Sequence, residues 1–149
     1  MGGETVELDE SQRSKAVDLL QQLEQGLIEK PEDVVGDWKY LSDHLDYSQL
    51  KIVEEHDLGC ELDRQRERIR VSKIAGTTHS GVKVMEQRLE KILELLLAGD
   101  FRVETESPPK LEKFEGEYYV SVDGHHRVLA FKALELEELF VEYIEVELE

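Results

Sequence analysis

The sequence lacks the features that stabilise or export a secreted protein. Its single cysteine, Cys60, excludes an internal disulfide and is typical of a reducing compartment. The N-terminus, MGGETVELDESQ, has neither the basic start nor the apolar core of a secretory signal peptide. We therefore expect a cytoplasmic protein.

Long apolar runs are also missing. The longest, Ile92 to Ala98, is interrupted by Glu94 and is much shorter than the roughly 20 residues that span a bilayer. The 149 residues, 40% of them hydrophobic, are enough for one well-buried domain but hardly for two. We expect one core and no membrane association.

Positive charge is scarce, with 18 Lys and Arg against 35 Asp and Glu and a net charge of −17. This balance argues against general nucleic-acid binding, because phosphate backbones are bound by clustered Lys and Arg. Residues 1–62 hold 16 acids and 5 bases, whereas residues 63–149 hold 19 and 13. The acidic N-terminal segment is a candidate surface for a basic protein partner or for DNA mimicry.

One basic stripe stands out against this background. It consists of Arg64, Arg66, Arg68 and Arg70, followed by Lys73. In a strand, alternate residues share a face. The stripe is either a solvated edge strand whose arginines pair with nearby glutamates, or a positive wall beside a phosphate site.

The hydrophobic period predicts that residues 1–62 form a helical N-terminal segment. A helix is expected from residue 9 to about 29, ended by Pro31, and a second short helix from Ser48 to about His56. Between them, a helical stripe is formed by Trp38, Leu41 and Leu45.

Near Arg66 the period changes to that of strands, and residues 63–149 are predicted to form an α/β domain. The first predicted elements are a strand from Arg66 to Ala75-Gly76 and a helical stripe from Val82 and Met85 to Leu96 that stops at Gly99. A hairpin of Lys110–Phe114 and Tyr118–Val122 follows. The last elements are a helix from His125 to Leu134 and a strand from Phe140 to Leu148. The fold class is therefore α+β, a mixed sheet with packed helices preceded by a helical segment.

The stretch Tyr118 to Ala130, YYVSVDGHHRVLA, carries the strongest functional signal. A strand stops at Asp123-Gly124, and three residues that can be cationic follow at once: His125, His126 and Arg127. If a helix begins here, its free N–H groups and these side chains surround a volume that suits an anion. The alternative is a helix capped by Asp123, a turn eased by Gly124 and two surface histidines.

This motif and its surroundings resemble the ParB/sulfiredoxin superfamily. The resemblance is carried by YYVSVDGHHRVLAFKAL, by the final strand ELFVEYIEV, and by the strand, loop and helix of Ile69 to Gly99. It covers roughly residues 66–149. In particular, the chain is similar to the branch with a D-G-H-H-R motif, which includes ParB-like nuclease-type domains and nucleotide-dependent serine kinases.

The resemblance implies that the turn binds the phosphates of ATP, ADP or CTP. Carried over by position, the phosphate-binding residues are Gly124, His125, His126 and Arg127. By topology, the loop after the first strand lies nearby, which adds Thr77, Thr78 and Ser80.

The sequence departs from the family at three points. Sulfiredoxins carry a reactive cysteine where this chain has His125, so sulfinic-acid reduction is not expected, and Cys60 has no basic neighbour in sequence to activate it. Chromosome-partitioning members carry G-E-R-R at the turn. The acidic catalytic base of the serine kinases lies outside the motif and cannot be matched to one acid here.

The sequence supports three hypotheses about function, of which the third ranks lowest. The first is a Mg²⁺-dependent phosphotransferase or nucleotide hydrolase, in which Asp123 helps hold the metal, Arg127 neutralises phosphate charge and His126 shuttles a proton. The second is a non-catalytic module that senses a ligand and binds a partner through its acidic helices. The third is a ParB-like nuclease.

Overall fold

The computed structural model describes residues 3–52 and 64–148, and these form an α+β fold. The helices are α1 (Glu10–Glu24), α2 (Glu86–Ala98) and α3 (His125–Ala133). The strands are β1 (Lys39–Tyr40), β2 (Leu50–Ile52), β3 (Gln65–Arg70), β4 (Ile74–Thr77), β5 (Lys110–Phe114), β6 (Glu117–Asp123) and β7 (Glu138–Leu148). The predictions for Cys60 and His56 lie outside the described residues.

The strands form one mixed sheet in the order β1-β4-β6-β5-β7-β2. The pairs β1–β4, β4–β6 and β5–β7 are parallel, whereas β5–β6 and β2–β7 are antiparallel. Strand β3 pairs antiparallel with the first half of β7, so β3 and β2 share the edge of β7 that β5 does not use. The predicted mixed sheet with packed helices is confirmed.

The two faces of the sheet carry different cores. The helical face holds the larger one, to which α1 contributes Ala16, Leu19 and Leu23, α2 contributes Leu89, Leu93 and Leu96, and α3 contributes Val128, Leu129, Ala130 and Phe131. The opposite face holds a smaller cluster of Leu41, Phe114, Tyr119 and Val146. Adjacent residues of a strand point to opposite faces, so Tyr118 and Tyr119 of β6 serve different cores.

The elements closest to the candidate motif form as the sequence predicts. The β5–β6 hairpin turns at Glu115 and Gly116, whose φ angles of 51° and 83° are those of a two-residue turn with both residues left-handed. Helix α2 ends at Gly99 and α3 begins at His125, as expected. Helix α2 starts only at Glu86, so Val82 and the exposed Met85 precede it.

Four predictions for the first half of the chain are wrong. Helix α1 ends at Glu24 and not near residue 29, because Gly26, at φ 74°, turns the chain well before Pro31. The helix predicted from Ser48 is replaced at residues 50–52 by β2, whose pairing with β7 overrides the local helical spacing.

The third error concerns Ala75-Gly76, which was expected to end a strand. A short 3₁₀ turn at Val71–Lys73 instead separates β3 from β4, and β4 continues through Gly76 to Thr77. The N-terminal segment is not uniformly helical either. Its helical stripe around Trp38 and Leu41 folds as short 3₁₀ turns beside β1, which pairs with β4.

Candidate functional site

A cavity of about 510 Å³ opens at the first turn of α3. This volume lies in the range of small-molecule binding sites. The cavity is lined by Arg88, Lys91, Ile92, Leu95, Asp100, Phe101, Arg102, Thr105, Val122, Asp123, Gly124, His125, His126 and Arg127. The structure thus brings all five residues of the D-G-H-H-R motif to one concave surface.

Gly124 fixes the geometry of this turn. It is the N-cap residue of α3 and adopts φ 103°, a conformation that side-chain-bearing residues rarely take. A Cβ at this position would lie 2.4 Å from Cβ of Pro109, so the neighbouring chain also leaves no room for one. Only glycine therefore permits β6 to turn into α3 at this place.

The first turn of α3 has no side-chain cap. Its first intrahelical hydrogen bond is donated by the N–H of Val128 to the carbonyl of Gly124, so the preceding N–H groups have no partner within the helix. The alternative in which Asp123 caps the helix is wrong, because Gly124 is the N-cap residue, and the carboxylate of Asp123 lies 3.8 Å from Nη2 of Arg127.

Arg127 is held at the side of the cavity. Its Nη1 donates to the carbonyl of Ser107 at 2.6 Å, and only 20% of its side chain is exposed. Burial lowers the pKa of Arg127, an effect that Asp123 opposes, and an arginine remains charged at neutral pH despite such a shift. The guanidinium therefore links α3 to the segment before β5 and keeps its charge beside the cavity.

The two histidines are partly buried, and each makes a hydrogen bond within the fold. Nε2 of His125 lies 2.8 Å from Oγ1 of Thr77, and Nε2 of His126 accepts a hydrogen bond of 2.9 Å from the N–H of Met85. Burial lowers the pKa of His125 to about 4, and burial also lowers that of His126. Burial thus favours the neutral form of both rings, so of the three residues that can be cationic Arg127 is the one whose charge the fold retains.

The loop residues assigned by topology do not line the cavity. Thr77 is buried and contacts it only indirectly, through His125. Thr78 is buried at the end of β4, and its hydroxyl has no hydrogen-bond partner among the described residues. Ser80 is exposed. Of the three, Thr77 is the one that the structure couples to the motif.

The sequence interpretation missed a group of cavity residues on α2. Arg88, Lys91, Ile92 and Leu95 follow the spacing i, i+3, i+4, i+7, which places them on one face of the helix beside the buried leucines. That spacing was visible in the sequence as a second stripe. Arg102 and Phe101 come from the segment after α2, and the ring of Phe101 lies 5.3 Å from that of Phe131.

The cavity lining carries more cationic than acidic side chains. Four cationic residues, Arg88, Lys91, Arg102 and Arg127, face two acids, Asp100 and Asp123. Within the described part of the chain, Arg127 is the one of these four cations that pairs with a carboxylate. The cavity is thus locally positive in a protein whose net charge is −17.

No known protein family, curated protein or solved structure matches this chain. The likeness to the ParB/sulfiredoxin superfamily therefore remains a resemblance of motif and element order.

Two further observations concern the described residues as a whole. They contain no group of three or more His, Cys, Asp or Glu side chains placed to hold a metal ion together. None of their helices combines the length and apolar character needed to cross a membrane.

Proposed function

We propose that the cavity at α3 binds a nucleoside di- or triphosphate, with the phosphates at the first turn of α3. The observation that carries this proposal is the set of four cationic residues around an uncapped helix N-terminus. Helix N-termini attract anions through their free N–H groups and the helix dipole, and guanidinium groups match phosphate oxygens.

The apolar side of the cavity supports a ligand larger than free phosphate. Ile92, Leu95 and Phe101 lie on it, together with Val122, which is 75% exposed near the end of β6. An exposed apolar side chain beside a charged pocket suits the flat base and the sugar of a nucleotide.

The proposal includes a Mg²⁺ ion that binds together with the nucleotide. Asp123 lies at the cavity with 55% of its side chain exposed, so its carboxylate can reach a cation bound to the phosphates. Carboxylate oxygens and phosphate oxygens together are the usual ligands of Mg²⁺. The remaining ligands would come from the nucleotide and from water.

Binding of ADP with Mg²⁺, measured by calorimetry, tests the proposal. Arg127→Ala is expected to weaken binding about tenfold to a hundredfold, since a hydrogen bond to a charged group contributes about 1.5–3 kcal/mol and 1.4 kcal/mol is one decade. Arg127→Lys should recover part of the loss, because lysine keeps the charge but not the planar fork.

The matched control is Arg70→Ala, an arginine of β3 outside the cavity. It should bind ADP as the wild type does. A folded Arg127→Ala variant with wild-type affinity would show that this arginine only ties α3 to Ser107, and the phosphate assignment would fail.

Binding without turnover is the second candidate, and the state of His126 favours it. The lone pair of Nε2 is occupied by the N–H of Met85, so this ring cannot take up a proton there without losing that contact. A catalytic protein should release phosphate from ATP or transfer it to a hydroxyl compound, whereas a sensor returns the nucleotide unchanged. Incubation with Mg²⁺ and ATP, followed by phosphate analysis, separates the two.

A further inference from the structure

The hydrogen bonds behind the cavity determine which nitrogen of His125 carries its hydrogen. The hydroxyl of Thr77 donates to the carbonyl of Val120 at 2.8 Å. A hydroxyl has one hydrogen, so toward His125 the same oxygen can only accept. Nε2 of His125 is therefore the N–H donor in the 2.8 Å contact with Thr77, and in a neutral ring Nδ1 carries the lone pair.

His126 is fixed in the opposite way. Its Nε2 accepts from the backbone N–H of Met85 at 2.9 Å, which requires a lone pair on that nitrogen. In a neutral ring the hydrogen then lies on Nδ1. Neither Nδ1 has a partner among the described residues, and both histidines line the cavity.

We propose that His125 and His126 form a fixed acceptor–donor pair, in which Nδ1 of His125 accepts a hydroxyl or amino hydrogen of the ligand and Nδ1–H of His126 donates to its anionic group. This inference rests on the proposed function, since it takes the cavity as the ligand site. It narrows the ligand to an anion that also carries a hydrogen-bond donor.

The two rings would bind different groups of the ligand. A fully ionised phosphate oxygen has no hydrogen to give, so it would oppose the lone pair of His125 but accept from His126. Leaving a partly buried acceptor without a donor is costly, so a ligand that lacks the donor is disfavoured. His125 is therefore a specificity-determining residue and not a phosphate ligand.

The arrangement can be tested without any ligand. Two-bond ¹H–¹⁵N correlation spectra at pH 7.5 distinguish the imidazole tautomers, and we expect the Nε2–H form for His125 and the Nδ1–H form for His126. The same tautomer on both residues, or a cationic ring, would overturn the proposal.

Thr77 offers a matched pair of variants. Thr77→Val removes the hydroxyl that holds Nε2–H and should convert His125 to a mixture of tautomers, whereas Thr77→Ser keeps the hydroxyl and should preserve the wild-type spectrum. An unchanged tautomer in a folded Thr77→Val variant would show that the hydroxyl does not set it.

Three nucleotides then identify the hydrogen that His125 accepts. Wild type and His125→Phe are titrated with ADP, with 2′,3′-dideoxy-ADP, which lacks the ribose hydroxyls, and with IDP, which lacks the amino group of adenine. We expect the wild type to bind one of the two analogues about fivefold more weakly than ADP, which corresponds to one ordinary hydrogen bond. His125→Phe, which keeps a planar ring but has no acceptor, should bind all three alike.

Each outcome is informative. If a folded His125→Phe variant discriminates among the nucleotides as the wild type does, or if the wild type binds all three alike, His125 is not the acceptor. If the wild type binds none of them, the proposed nucleotide function fails, whereas the tautomer spectra decide independently whether the acceptor–donor pair exists.

Discussion

Strand β3 and the cavity at α3 both concentrate cationic side chains, but the fold uses them differently. On β3, Arg66 pairs with the buried Glu142 at 2.9 Å, and Arg68 pairs with Glu4 and Glu104 at 3.0 and 3.2 Å. The interpretation of this stripe as an edge strand paired with glutamates is thus confirmed, whereas its arginines are absent from the cavity lining.

In the cavity most of the cationic side chains have no carboxylate partner among the described residues. Arg88, Lys91 and Arg102 form no ion pair within the described residues. A charge whose partner is already in the fold gains little from an added anion, whereas unpaired charges around a concave surface raise the local concentration of anions. The comparison shows that the spacing of basic residues in a sequence does not reveal which of them fold against carboxylates.

The largest expected effect comes from the glycine that shapes the cavity. Gly124→Ala should lower the free energy of unfolding by about 3 kcal/mol or more, because a left-handed non-glycine residue costs roughly 1–3 kcal/mol and overpacking a further 1–3. Urea unfolding measures this change.

Gly81→Ala is the matched control for Gly124→Ala. Gly81 also has a positive φ, 88°, but a Cβ there would meet nothing within 4 Å. This variant should lose only the backbone contribution, roughly 1–3 kcal/mol, without the cost of overpacking. Equal losses in the two variants would mean that the contact with Pro109 does not restrict the turn.

The second prediction tests the cavity cations against the strand arginines. Arg88→Ala should weaken binding of ADP about tenfold, since it removes a charge from the lining, and alanine at an exposed helical position leaves α2 stable. Arg68→Ala should leave ADP binding unchanged. Comparable losses in both variants would point to the overall charge of the protein and not to the cavity.

The third prediction concerns acid stability. The pKa of His125 is about 4 in the folded protein and about 6.5 when unfolded, so the unfolded state takes up an extra proton between these values. The stabilising contribution of the neutral ring is complete above pH 6.5 and is lost as the pH falls toward 4. His125→Gln should therefore lose less stability than the wild type between pH 7 and pH 5.

Urea midpoints at the two pH values give this difference directly. His44→Gln is the control, because His44 is exposed and lies outside the cavity. It loses a histidine without changing the cavity. A wild-type response from His125→Gln would mean that carboxylates alone cause the acid sensitivity.

The sequence predicts the parts of this fold whose signals are local. Helix α2, the hairpin and the entry into α3 each carry turn or cap residues at defined positions, as with Gly99 and Gly116. Strand β2 could not be predicted in this way, because three residues form a strand there only through pairing with β7, nearly a hundred positions away.

The features of the site also differ in whether local sequence predicts them. The motif at Asp123 to Arg127 was identified from sequence, but the protonation of its histidines depends on Thr77 and Met85, which approach only in the folded protein. Arg102 was missed because no periodicity marks a residue in an irregular segment. Local patterns thus identify the turn, and tertiary contacts decide its chemistry.

The smallest expected effect is on the stability of β3. The side chain of Arg68 is 37% exposed and its partners Glu4 and Glu104 are 65% and 60% exposed, so water and salt screen both pairs. Arg68→Ala should therefore change the melting temperature only slightly, and this difference should shrink further between 0.05 and 1 M NaCl. Arg66→Ala should be more harmful at either salt concentration, because it leaves the buried carboxylate of Glu142 without its closest partner. If Arg68→Ala proved as destabilising as Arg66→Ala, the exposed pairs would hold the N-terminal segment against the sheet more firmly than their solvent exposure indicates.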